Sequence, residues 1–431
     1  MRTRLALLGL VLFAQTASAQ APSGPHGVHL GVDPSGETLV VQWFTREPAA
    51  SRIEVTGSGA FEGGFEALPQ GAGFVHTVPL EGLAPGEYEY TVPDAGTFPL
   101  RVPGPADTAR VAFLGDQGVT DVSARTVDRL VAEAPEAVFH AGDVAYGEGN
   151  PIVWDQWFEM VEPVAASVPW MPALGNHETY FVAPTGAIGD FVEAFRTAPN
   201  PEVDAFRLRF ALPANELWWS RDVGPVHVVA LDTFYSVFAE GSAEAVWLAK
   251  DLLDHADAPW TIVFLHEPPY SSNSHRSSVV LRAALAPLLE AGGVDVLVSA
   301  HDHGYERTWP LLGDEGVVST AEPYVAGNGV VYLVTGGGGE SLYDDWEEPQ
   351  PAWSAARASE HHVTVLDATR EALLVRAVKP DGSLLDEFRL EKTAPRTGVP
   401  TATVDDATPG TGLPALLAAA AAVARVATRR R

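Results

Sequence analysis

Five short segments carry side chains able to hold metal ions: Gly115-Asp116-Gln117-Gly118, Gly142-Asp143-Val144-Ala145-Tyr146, Gly175-Asn176-His177-Glu178, His266, and His301-Asp302-His303. Each alone is a weak signal, because a strand-end aspartate is often a helix cap or turn former and an isolated histidine is more often a satisfied polar residue. Five in one stretch are a different matter. Carboxylate, amide, phenol and imidazole donors together suit Fe, Mn or Zn. Two such ions about 3.5–4 Å apart hold the attacking and the phosphoryl oxygens of an in-line displacement, with one carboxylate bridging them. The sequence contains no cysteine, so a thiolate metal site, an iron–sulfur cluster, a disulfide framework and a cysteine nucleophile are all excluded.

The elements that must position these residues are legible in the hydrophobic pattern. Residues 111–114, 137–139, 226–231, 260–265 and 295–299 are largely apolar runs, and helix-like segments at 124–134, 243–255 and 278–291 lie among them. Buried strands alternating with helices predict an α/β layered domain over 107–392, with polar residues collecting just past the strand ends, where such sheets place their sites. Ahead of it, 24–104 alternates apolar and polar residues in short runs between Gly/Pro/Asp turns, which predicts a small antiparallel β-sandwich. Trp43 is the candidate for its core aromatic. The glycine run 336–339 lacks the lysine of a phosphate-binding loop and reads as a close backbone approach beneath the site. Trp154, Trp157, Trp218, Trp219 and Trp309 read mostly as core. His76, His255, His361 and His362 match no motif and read as structural or solvated.

The 431 residues are 46% hydrophobic, enough for a buried core and two or three domains. With 27 basic against 56 acidic residues the formal charge is -29, which argues against coating a nucleic acid, since phosphate backbones need a basic footprint. At the N-terminus, Arg2 and Arg4 precede an apolar run and Ala17-Ser18-Ala19 fits a cleavage site, so 1–19 reads as a secretory signal. At the other end, a Thr/Pro-rich linker over 393–412 leads into an apolar tail over 413–431 that closes on Arg429, Arg430 and Arg431. The apolar part falls short of the ~20 residues of a spanning helix. Its layout resembles the C-terminal sorting tails of prokaryotic surface proteins. The expectation is a secreted protein, with membrane or cell-surface attachment through the tail.

The order D-x-G, GD-x-x-Y, GNHE, H, H-x-H resembles the calcineurin-like metallophosphoesterases, and Tyr146 with His301-Asp302-His303-Gly304-Tyr305-Glu306-Arg307 makes the chain similar to the purple acid phosphatases. The stretch from Leu80 to Tyr90 resembles the tyrosine-corner region of fibronectin type III domains. The implied architecture is a fibronectin III-like sandwich followed by a two-sheet α/β sandwich flanked by helices. By this resemblance Asp116, Asp143, Tyr146 and His303 would hold Fe(3+), while Asp143, Asn176, His266 and His301 would hold a divalent ion (Zn, Mn or Fe), with Asp143 as the bridge. His177 and His275 would be catalytic, reaching the substrate phosphate, with Glu178 orienting the His177 ring. The implied activity is hydrolysis of small phosphomonoesters by metal-activated hydroxide. The alternatives are a phosphodiesterase or nucleotidase with the same centre, the choice resting on loops 180–191 and 312–327, and, more distantly, a noncatalytic surface-binding pseudoenzyme. Two departures stand out. Ala300 occupies a position that is usually glycine, which puts the local backbone fit in question, and the absence of cysteine leaves a monomer or a noncovalent dimer.

Overall fold

The structure, a computed structural model, describes residues 22, 24–148, 150–179 and 201–392. The expected signal at 1–19, the linker and tail over 393–431, and the loop 180–191 lie outside the described residues. No described helix is long and apolar enough to cross a membrane.

The first eight strands form two four-stranded antiparallel sheets. One has the order His26–Val32, Leu39–Thr45, Phe74–Pro79, Gly64–Ala67, and the other the order Gly59–Glu62, Arg52–Val55, Gly86–Val92, Gly96–Val102. Alternation is clearest in Arg52–Val55, where only Ile53 and Val55 are buried, as expected of a sheet with one face in water. Trp43 is in the core and stacks on buried His76 (4.8 Å, 4°), whose ring nitrogens bond to the hydroxyls of Thr45 and Ser51, both at 2.8 Å. His76 is thus a satisfied structural histidine. Tyr88 bonds back to the Ala84 carbonyl at 3.0 Å, a local loop closure of the tyrosine-corner kind.

His26–Val32 is buried throughout because the helix Pro151–Ala165 lies against it, and Leu39–Thr45, buried throughout as well, is an inner strand whose Phe44 meets Phe158 of that helix at 4.7 Å. Asp155 on that helix faces His26 at 3.2 Å and also pairs with Arg46, while Glu162 accepts from the Val28 amide at 2.9 Å. The Tyr90 hydroxyl donates to the Ala166 carbonyl at the helix end (2.6 Å).

The rest of the chain builds two seven-stranded sheets. The first runs Trp170–Pro172, Ala137–His140, Thr108–Leu114, Val363–Thr369, Ala372–Val378, Leu384–Glu391, Tyr324–Val325. The second runs Trp219–Val223, Val226–Ala230, Trp260–Phe264, Val296–Ser299, Val331–Thr335, Tyr305–Thr308, Ser354–Ala358. They pack face to face through aromatic side chains: Phe264 of the second lies 5.8 Å from Phe113 and 5.5 Å from Phe139 of the first. The helix Asp121–Glu133 covers the first sheet, starting in a capping box between Thr120 and Ser123. The helices Ala243–Asp254 and Val279–Gly292 pack together over the second sheet in a separate apolar cluster with Leu248, Leu285 and Leu289.

In the first sheet three adjacent strands ending at Leu114, His140 and Pro172 are parallel, and in the second so are those ending at Ala230, Phe264, Ser299 and Thr335. Parallel strands present their C-terminal ends to one edge, so every loop that carries a candidate ligand leaves the same side of the molecule.

Candidate metal centre

Asp116, Asp143, Tyr146 and Asn176 follow strands of the first sheet, while His266, His301 and His303 follow strands of the second. The oxygen donors therefore come from one sheet and the imidazoles from the other. Asp116, Asp143, Tyr146 and His301 all have left-handed backbone, with φ of 55°, 53°, 52° and 68°. Such conformations are costly for residues other than glycine and persist only where surrounding structure enforces them, which is common at functional sites.

The donors fall into two groups. In one, the Tyr146 hydroxyl is 3.0 Å from His303 Nε2 and 3.3 Å from Asp116 Oδ1, and those two atoms are 3.6 Å apart. In the other, His266 Nε2 lies 3.1 Å from Asn176 Oδ1, 3.2 Å from Asp143 Oδ2 and 3.2 Å from His301 Nδ1. Each group is wired from behind. His303 Nδ1 donates to the Ser341 carbonyl (2.8 Å) and His266 Nδ1 to the Ala141 carbonyl (2.7 Å), so both rings turn Nε2 toward the centre. The His301 amide donates to Asp116 Oδ2 (2.7 Å) and the His177 amide to Asp143 Oδ1 (2.9 Å).

This donor set fits cations. Asn176 Oδ1, Asp143 Oδ2 and His301 Nδ1 converge on His266 Nε2 at 3.1, 3.2 and 3.2 Å, and a neutral His266, with its one proton on Nδ1, has none to place between them. With protein groups alone a proton takes that place: burial lowers the affinity of His266 for it, but the charge and hydrogen bond of Asp143, the charge of Asp116 and the Ala141 carbonyl together outweigh burial and raise the imidazole to about 9. Burial also raises Asp116 well above the ordinary carboxylate range, and it pushes Asp143 the same way, yet His266 wins there and holds Asp143 low. Burial, reinforced by Asp116, raises the Tyr146 phenol well above its ordinary value. A strong Lewis acid is needed to ionise such a phenol.

His177 and His275 stand at the rim. His177 Nδ1 is 2.8 Å from Glu148 Oε1, and its ring lies 4.2 Å from that of Tyr146. Burial lowers its basicity, but Glu148 and Asp143 more than compensate, so the net shift is upward. His275 is exposed, stacks on His301 (4.1 Å), and is anchored by its amide to Asp302 Oδ1 (2.8 Å).

Glu178 does not orient the His177 ring. Its carboxylate, 3% exposed, accepts the backbone amides of Asp143 (2.9 Å), Val144 (2.8 Å) and Gly175 (2.9 Å), and Glu148 is the ring's carboxylate partner. The reason is geometric: the turn after Asn176 sends Glu178 inward beneath the two loops, while His177 points to the rim. Burial, then the charge of Asp143, pushes the Glu178 carboxyl up to about 7.

Glycine 336 is a close approach, as its run suggests: a Cβ there would lie 2.3 Å from the Asp302 carbonyl and 2.5 Å from Asp116 Oδ2. Ala300 is accommodated by its neighbour, since a Cβ on Gly115 would fall 2.3 Å from the Ala300 Cβ. Bare glycine at 115 leaves the room that the extra methyl at 300 occupies. Of the tryptophans, Trp154, Trp157 and Trp219 are fully in the core and Trp218 and Trp309 pack at its margin. His362 is buried against Thr335, and both nitrogens of buried His140 lack a partner among the described residues.

Sequence reasoning missed Glu148, Phe234 and Tyr343. Tyr343 stacks on His303 (4.1 Å, 8°), and Phe234 packs against His266 (5.4 Å) and His301 (5.6 Å). None belongs to a metal motif. The one signal available was position, since Tyr343 closely follows the glycine run and Phe234 follows the 226–231 strand.

Comparison with known proteins agrees with this geometry. The calcineurin-like phosphoesterase family matches residues 109–305, and the iron/zinc purple acid phosphatase-like C-terminal family matches 329–387. Human acid phosphatase type 7 is 29% identical, covering 88% of this chain and 94% of its own. The zebrafish (Danio rerio) protein of that name is 30% identical over 65% of this chain and 68% of its own. A purple acid phosphatase from yellow lupin seeds shares the fold with a TM-score of 0.76 at 23% identity, over 90% of this chain and 78% of the lupin chain. With oxygen donors from one sheet, imidazoles from the other and both family segments in place, the chain belongs to the purple acid phosphatases, a family of hydrolases within the calcineurin-like metallophosphoesterases.

Proposed function

We propose that this protein hydrolyses small phosphomonoesters with Fe(3+) in the Asp116, Asp143, Tyr146, His303 group and a divalent ion (Zn, Mn or Fe) in the Asp143, Asn176, His266, His301 group. The observation that carries this reading is the division of donors, with the Tyr146 phenol hydrogen-bonded on the side of Asp116 and His303 and the Asn176 amide oxygen on the side of two imidazoles. When bound, the ions supply Lewis acidity, which polarises a phosphoryl oxygen and makes a water nucleophilic at acidic pH.

The chain's own residues do the rest. Glu148 holds His177 by Nδ1, and His177 Nε2, 3.8 Å from Asp143 Oδ2, is aimed over the centre to donate a proton to a phosphoryl or leaving-group oxygen. His275, on the stack above His301, binds a phosphate oxygen from the open side. Glu178 keeps the loops bearing Asp143 and Asn176 at fixed separation.

We place the protein outside the cell or at its surface, on the strength of the Arg2/Arg4 apolar leader and the basic-ended tail, as a monomer or noncovalent dimer whose sandwich over 24–104 is a scaffold. The test is phosphate release from an aryl phosphomonoester and an aryl phosphodiester by the full chain loaded with iron plus zinc or manganese, from acidic to alkaline pH. Preferential monoester turnover with an acid-side maximum is expected. Diester preference, or an alkaline maximum, would overturn the substrate or the ferric assignment respectively.

A further inference from the structure

A second cluster of metal-competent side chains lies on the opposite side of the second sheet's first hairpin. Asp222 and His227 face each other across the hairpin, paired in register, and His255 caps the helix Ala243–Asp254 that runs beside it. One ligand atom from each of Asp222, His227 and His255 falls within 4.8 Å of the others.

What distinguishes this cluster from ordinary surface charge is how the rings are held. His227 Nε2 is 2.9 Å from Asp251 Oδ2, and Asp251 is in turn fixed by the Ser220 hydroxyl (2.6 Å). His255 Nδ1 donates to the Asp251 carbonyl (2.9 Å). One nitrogen of each ring is therefore committed to an acceptor, the carboxylate–histidine arrangement that commonly orients metal-binding imidazoles. The other nitrogens, Nδ1 of His227 and Nε2 of His255, are presented with Asp222. His227 Nδ1 sits 2.7 Å from Asp222 Oδ1, and His255 Nε2 has no partner among the described residues. The rings stack at 3.9 Å and 17°.

The surroundings favour positive charge. The last-turn carbonyls of a helix carry partial negative charge, and His255 is at that end. Asp222 and Asp251 contribute two carboxylates against the neighbouring guanidinium of Arg221, which also feels Asp33. The site opens on a cleft of about 1290 Å³ that Ser35, Arg101, Glu136, Arg221 and Arg370 also line, leaving solvent access for an entering ion.

We propose that Asp222, His227 and His255 form a divalent-cation site separate from the hydrolytic centre, taking Zn²⁺ or a similar first-row ion and tying the 219–230 hairpin to the helix end. Two imidazoles and a carboxylate select such an ion over Mg²⁺ or Ca²⁺, which prefer oxygen alone.

The test dialyses the metal-loaded full chain against micromolar Zn²⁺ at neutral pH and counts metal per chain by mass spectrometry. Wild type should hold one more zinc than Asp222→Asn or His255→Gln, with aryl phosphate hydrolysis unchanged in both variants. Equal zinc in all three overturns the site. Should a variant lose hydrolysis as well, zinc-edge anomalous diffraction from wild-type crystals decides: a peak between the three residues upholds the proposal and its absence overturns it.

Discussion

Replacing Glu178 separates two roles that a glutamate beside a catalytic histidine could play. Its carboxylate receives three backbone amides, from Asp143, Val144 and Gly175, and lies 3% exposed. In Glu178→Ala those donors lose their acceptor in a buried setting, which costs roughly 1–3 kcal/mol each. Water entering the space left by the side chain recovers part of this, so the expected loss is about 3–6 kcal/mol of unfolding free energy. Glu178→Gln keeps one oxygen, able to serve the two amides that share Oε2, and sets its NH₂ against the third, for a loss of about 1–3 kcal/mol. Urea unfolding of the three proteins, each stripped of metal with a chelator, measures the series directly. A carboxylate that merely aimed the His177 ring would leave unfolding almost untouched and lower kcat alone. Glu178→Ala within about 1 kcal/mol of wild type would therefore refute the clamp.

Four further outcomes are expected. Asp143→Asn removes a charged donor from the middle of the centre, and phosphate release should fall to background; near-normal turnover would show that Asp143 does not bridge the ions. Tyr146→Phe should abolish the visible charge-transfer band of the iron-loaded protein, read by absorption spectroscopy, and an unchanged band would take Tyr146 off the iron. Gly336→Ala should cost metal content and activity together, because its methyl would press on Asp116 Oδ2 and the Asp302 carbonyl, and a fully loaded, active variant would contradict that contact. Burial and then Asp232 push Glu244 up to about 8 from an ordinary 4.5, so the stability tied to its protonated form is complete below the unfolded value and is lost as pH rises through about 8. Glu244→Gln, which keeps partners for the Asp232 amide and Ser236 hydroxyl, should match wild type near pH 5 and exceed it by about 3–5 kcal/mol near pH 9 in denaturant titrations; a constant difference across pH would refute it.

Much of the site was legible because its chemistry is local in sequence. A strand, a glycine and a ligand follow one another within a few residues, and parallel strands deliver such turns to one edge without further instruction. The helix reading at 243–255 differs from Ala243–Asp254 by one residue, and 278–291 is displaced by one from Val279–Gly292. What stayed hidden depends on contacts between distant segments. Val363–Thr369 pairs antiparallel with Thr108–Leu114 and extends the first sheet with two further strands, an association across some 250 residues that no local pattern announces. The start of the helix Asp121–Glu133 was read late, since its capping box uses Ser123 in place of the usual glutamate. Glu178 was misassigned because adjacency in the chain suggested a partner, whereas a buried acid goes to whichever donors lack one. His255 matched no motif because Asp222 and His227 reach it only through the hairpin and the helix end.

The split of donors between the sheets has a mechanical consequence. An ion held by Asp143 and Asn176 on one side and by His266 and His301 on the other would be a cross-link between two layers that meet through packed aromatic rings and a few polar contacts, such as Thr335 with Thr364 and Arg307 with Asp386. It would close a loop of chain from residue 143 to residue 301, much as a disulfide does, in a protein that has no cysteine with which to make one. Its strength is set by pH and by competing chelators instead of by redox potential. A molecule stapled in this way is held together by the same atoms that do its chemistry, so starving it of metal should loosen the seam between its sheets as well as silence it.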